Sequence, residues 1–67
     1  MNMTYLELLS WARKGLAAEK EKYREMQGKA IEGGAKAIVD AAQEHIEEIE
    51  VKESTLDELE EIHNRRY

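Results

Sequence analysis

The chain has 67 residues, no cysteine, no proline and a formal net charge of −5, so it is one domain at most and can hold neither a disulfide nor a thiolate-bound zinc. A domain this short buries only about 60% of the surface its unfolded chain would expose, which leaves self-association or a non-thiolate metal as the usual compensation. The negative balance disfavours direct binding to nucleic acid, no apolar run approaches the roughly 18 residues of a membrane span, and without a secretory signal pattern a cytoplasmic location is expected.

Ala, Glu, Lys, Leu and Ile dominate, which is the composition of long helices. One Trp and three Tyr are the whole aromatic content, and turn residues do not recur at the short spacing a β-sandwich or barrel needs. The expected fold class is all-α.

The first helix should begin near Tyr5. Thr4 can cap it, Glu7 stands three residues on as the partner of a capping box, and Met3 can staple onto Leu8. From there a stripe runs through Tyr5, Leu9, Ala12, Leu16, Tyr23, Met26 and Ala30 in alternating steps of four and three, interrupted at Glu19. Leu6, Leu8, Trp11 and Ile31 lie beside it and widen the apolar face. Gly28 weakens the helix interior, but the firmer break is Gly33-Gly34, where paired glycines suit a helix C-cap and a tight turn. Helix 1 is therefore expected over about 5–32 and the turn at 33–34.

After the turn the stripe resumes at Ala35, Ile38, Ala42, Ile46 and Ile49, then Leu56, Leu59 and Ile62. Helix 2 should span about 35–66. Val51 falls off the stripe, Lys52 interrupts it, and Thr55 with Glu58 forms a second capping box, so a break at 51–55 with a short third helix after Thr55 stays open beside one continuous helix.

Two helices of matched length joined by a two-residue turn form an antiparallel hairpin, with facing positions whose numbers sum to about 68–72. This sets Ala30 on Ile38, Met26 on Ala42, Tyr23 on Ile46, Ala12 on Leu56, Leu9 on Leu59 and Tyr5 on Ile62 or His63. Glu19 and Lys52 fall in adjacent layers, where they either pair and fix register or extend to water. A lone hairpin has no second layer for its apolar face, so a homodimer forming a four-helix bundle is expected. In helix length and turn position this architecture resembles the small plasmid-encoded ROP hairpin dimer.

The two halves differ in charge. Residues 1–36 carry seven basic and five acidic side chains, +2, and residues 37–67 three basic and ten acidic, −7. The acidic residues of helix 2 either form a solvated outer face or present a negative stripe, Glu47, Glu48 and Glu50 among them, to a basic surface of a partner protein.

Glu60 and His63 form a Glu-x-x-His pair, the spacing that di-iron carboxylate bundles use on one helix face. A dimer would hold two copies, as the hairpin subunits of encapsulated ferritins do, so a metal-binding assembly is the alternative reading. The common reading of His63 is a histidine at the seam edge. His45 is expected in a buried hydrogen bond near Tyr23, and no nucleophile with a base and an orienting group is visible. Trp11, Tyr5 and Leu8 form an aromatic patch at the open end, suited to core or dimer packing or to a partner contact. The run Ser54-Thr55-Leu56-Asp57-Glu58-Leu59 loosely resembles the Ser-x-x-Leu-Asp helix of sporulation aspartyl-phosphate phosphatases, but its spacing is one residue short. The leading expectation is a small non-enzymatic interaction or regulatory protein that is homodimeric and has no cofactor.

Overall fold

The computed structural model describes residues 4–66, and among them the chain forms two α-helices and no strand. Helix α1 spans Tyr5–Glu32 and helix α2 spans Lys36–Arg66. They lie side by side as an antiparallel hairpin measuring 50 × 24 × 11 Å. The smallest dimension is about the diameter of one helix with its side chains, so the hairpin is a single layer.

The N-terminus of α1 is capped as its residues dictate: Thr4 is extended (φ −70°, ψ 160°) and its hydroxyl accepts the Glu7 backbone N–H at 3.1 Å. This satisfies one of the donors that a helix start leaves without a partner. The expected Met3 staple lies outside the described residues.

The turn is a Schellman motif. Ala35 N–H donates to the Ala30 carbonyl at 2.9 Å and Gly34 N–H to the Ile31 carbonyl at 3.1 Å, which satisfies two of the carbonyls in the last turn of α1. Only one of the paired glycines needs to be glycine. Gly34 takes φ 71°, in the left-handed region where a Cβ is strained, whereas Gly33 has ordinary helical angles (φ −84°, ψ −2°). Helix α2 starts one residue later than expected, with Ala35 outside it accepting the N–H groups of Ile38 and Val39.

Helix α2 runs without interruption through 51–55, so among the described residues there is no third helix. Thr55 is an interior residue whose hydroxyl donates to the Val51 carbonyl at 3.1 Å. A hydroxyl that bonds back one turn is satisfied inside the helix and has no need to start a new one.

The contact between helices is made by Leu9, Arg13, Leu16, Lys20, Tyr23, Gln27 and Ala30 on α1, and by Ala35, Val39, Ala42, Ile46, Ile49, Glu53, Leu56, Glu60 and His63 on α2, all buried or half-buried. Both sets step by four and three, the rhythm of a coiled-coil seam. Half of the expected apolar stripe is displaced from it. Arg13, Lys20 and Gln27 occupy the places expected for Ala12, Glu19 and Met26, and Val39, Glu53, Glu60 and His63 those expected for Ile38, Lys52, Leu59 and Ile62. Each helix is turned by about 50°, half the rotation of one residue, so the apolar residues spill to one side of the contact. The buried core is accordingly small: Leu9, Ala30, Ala42, Ile46 and Ile49.

Candidate interaction faces

The two broad faces of the hairpin differ in chemistry. On one, polar side chains close the seam. The Arg13 guanidinium hydrogen-bonds Asp57 and reaches Glu60 Oε2 at 2.8 Å, Lys20 Nζ reaches Glu53 Oε1 at 2.6 Å, and Gln27 Nε2 donates to the Val39 carbonyl at 3.2 Å and Gln43 Oε1 at 3.0 Å. The hydrogen bond from Asp57 holds the Arg13 guanidinium above its usual pKa, with the charges of Asp57 and Glu60 adding to it and desolvation opposing. The Arg13 and Lys20 bonds are charge-assisted and therefore geometrically selective, and together with Gln27 they tie the two helices along this face. Sequence reasoning missed them; the available signal was opposite charge at positions whose numbers sum to 73, Arg13 with Glu60 and Lys20 with Glu53.

The opposite face is open, with apolar residues towards both ends and charged ones between them. Repeating along α1 at seven-residue intervals on the same side as Leu16 are Tyr5, Ala12, Glu19 and Met26, with Leu8, Gly15, Lys22 and Lys29 beyond them. Along α2 the matching positions are Ile38, His45, Lys52, Leu59 and Arg66, with Ala41, Glu48, Thr55 and Ile62 beyond. Two grooves confirm that these positions share one side. Tyr5, Leu59, Ile62, His63 and Arg66 line one of about 340 Å³ at the open end, and Ala12, Gly15, Leu16, Lys52, Thr55 and Leu56 line one of about 500 Å³ near the middle. Tyr5, Leu8, Met26, Ile38, Leu59 and Ile62 are all exposed.

The amount of open surface is large for the mass. The chain exposes 5341 Å², whereas a compact protein of 7.8 kDa exposes about 4,400 Å². The excess, roughly 950 Å², is close to the ~800 Å² that one partner contributes to a standard interface.

The sequence-derived site residues fall as follows. Tyr5 stacks on His63 with centroids 4.9 Å apart, joining the two helices at the open end. Leu8 is exposed at the edge of the apolar face, and Trp11, one turn further round, is 68% exposed on the outer surface of α1. Glu47, Glu48 and Glu50 are exposed on α2 but do not share one narrow stripe: Glu48 borders the apolar face, Glu50 borders the polar face and Glu47 points outward. Glu60, the carboxylate of the Glu-x-x-His pair, is held by Arg13, and no group of three or more metal-type side chains occurs among the described residues. His45 departs from expectation. Instead of lying in a buried hydrogen bond, it is half exposed and stacks on Tyr23 at 4.7 Å, with Nδ1 3.9 Å from Glu48. Glu19 and Lys52 make no ion pair within the hairpin among the described residues, and both are exposed.

The chain matches no protein-family model, no curated protein and no solved structure. Among the described residues no helix is long and apolar enough to cross a membrane.

Proposed function

We propose that the chain is a small, cytoplasmic, non-enzymatic interaction protein. Two copies join through their open apolar faces into a four-helix bundle, and the bundle presents the acidic outer surface of α2 to a basic surface on a partner protein. The observation that carries this reading is the single-layer hairpin, which closes one face with ion pairs and leaves Tyr5, Leu8, Ala12, Met26, Ile38, Leu59 and Ile62 open on the other. An apolar face of this extent on a monomer marks an interaction site, and a second identical layer is its simplest cover because the same patch serves both partners. A metal-binding assembly through Glu60 and His63 would first have to release Glu60 from Arg13, so it ranks below self-association.

Sedimentation at twice the chain mass and a melting temperature that rises with protein concentration are the expected results. A monomer whose melting ignores concentration overturns the bundle. For the acidic surface, reversing Glu47 and Glu50 to Lys should abolish capture of the basic partner while circular dichroism keeps its helical signal. A partner retained equally well by that variant removes this half of the reading.

A further inference from the structure

The bundle can be built in two ways, and the charges on the apolar face distinguish them. Resting on the homodimer reading above, we propose that the two hairpins pair with their Gly33-Gly34 turns at the same end. Helix α1 of each copy then covers α2 of the other, and Glu19–Lys52 and Lys22–Glu48 join across the interface.

Face-to-face hairpins are related either by a two-fold axis along the helices or by one across them in the plane of the interface. The first lays α1 over the other copy's α2 at the same level. The second lays each helix over its own copy, running the opposite way. Levels within the hairpin are fixed by observed contacts: Arg13 with Glu60, Lys20 with Glu53, Tyr23 with His45 and Tyr5 with His63. Glu19 and Lys52 are therefore at one level, on the open face, close to the midpoints of Tyr5–Glu32 and Lys36–Arg66. Lys22 and Glu48 are at the next level.

An axis along the helices sets Glu19 on Lys52 and Lys22 on Glu48, each twice. It also lays Leu8 on Ile62 and the small residues Ala12 and Gly15 on Leu59 and Thr55, with Tyr5 over Arg66 beside Ile62 and Met26 over His45. Each central charge meets its opposite, whereas like charges brought together would be strongly disfavoured. An axis across the helices sets Glu19 on Glu19 and Lys52 on Lys52. It also lays Leu8 on Lys29, Ile38 on Arg66 and Leu59 on His45, with Ala12 on Met26 and Ala41 on Ile62 as its apolar pairings, and it sets Lys22 on Gly15 and Glu48 on Thr55 along the groove that Lys52 also lines. In the favoured arrangement Glu48 belongs to the rim of the bundle, which leaves Glu47 and Glu50 for the outward acidic surface.

The chain contains no cysteine, so a single Glu32→Cys substitution on the exposed last turn of α1 carries one spin label per copy. Turns at the same end put the two labels within about 20–30 Å, given neighbouring helix axes some 10 Å apart. Turns at opposite ends put them near the 50 Å length of the hairpin. A short distance in a species of dimer mass supports the proposal. A long distance at dimer mass overturns it and leaves the homodimer standing, whereas monomer mass with no dipolar coupling overturns the homodimer itself. As a second measurement, Glu19→Lys should weaken association on the order of tenfold, because it faces Lys52 twice, and adding Lys52→Glu to the same chain should restore it. Association unmoved by Glu19→Lys refutes the pairing.

Discussion

Removing the Lys20–Glu53 pair tests whether charged residues hold the seam. The two side chains are 18% and 26% exposed with nitrogen and oxygen 2.6 Å apart, which puts them between an open surface pair and a fully buried one. Surface pairs contribute about 0.2–1 kcal/mol, and breaking a buried pair costs about 3–5 kcal/mol because the remaining charge stays uncompensated. Lys20→Ala and Glu53→Ala should each cost about 2 kcal/mol, a fall in Tm of roughly 8–16 °C for a domain of this size. The double variant should lose less than the two together, with a coupling of about 1–1.5 kcal/mol. Lys20→Leu combined with Glu53→Leu should be at least as stable as the parent, since apolar replacement of a seam pair removes its desolvation cost. Thermal melts followed by circular dichroism at one fixed protein concentration measure all of these. Additive losses, or a Leu double variant weaker than either Ala single, would refute the placement of the pair in the helix contact.

The two glycines of the turn should respond in opposite directions. Gly34→Ala forces a Cβ into φ 71° and should cost about 1–2 kcal/mol, while Gly33→Ala meets nothing closer than 3.6 Å and should be neutral or slightly stabilising in chemical denaturation. Gly28→Ala, in open space on the α1 surface, should raise stability by about 1 kcal/mol, read as a higher midpoint at unchanged slope. Ile49→Ala, at one of the five buried positions, should cost about 2–4 kcal/mol, and with so small a core that loss should leave the variant largely unfolded at 37 °C by circular dichroism.

Local rules made the elements legible. Thr4, the long run of helix formers and the paired glycines each act over a few residues, and they set α1 at 5–32 and the turn at 33–34. The rotation of the helices was not legible, because apolar periodicity marks which residues avoid water without saying which neighbour covers them. Leu9, Leu16, Tyr23 and Ala30 serve the partner helix of the same chain. Ala12 and Met26, read as members of that seam, face outward, and Arg13, Lys20 and Gln27 take their places because Glu60, Glu53 and Gln43 satisfy them across a sequence separation that no local window spans. Thr55 illustrates the reverse: a capping pattern in sequence that the helix absorbs by a hydroxyl bond to Val51.

The turn has one further consequence. Across Gly33-Gly34 the seam jumps from Ala30 to Ala35, two residues short of the seven that would carry it on in phase, which is about 200° at 100° per residue. Were the bend to open into one unbroken rod, the two halves of its sticky strip would point to nearly opposite sides. Two such rods lying together could satisfy only half of each other, so the chain is guarded against exchanging arms with a neighbour, a common failure of short-looped hairpins.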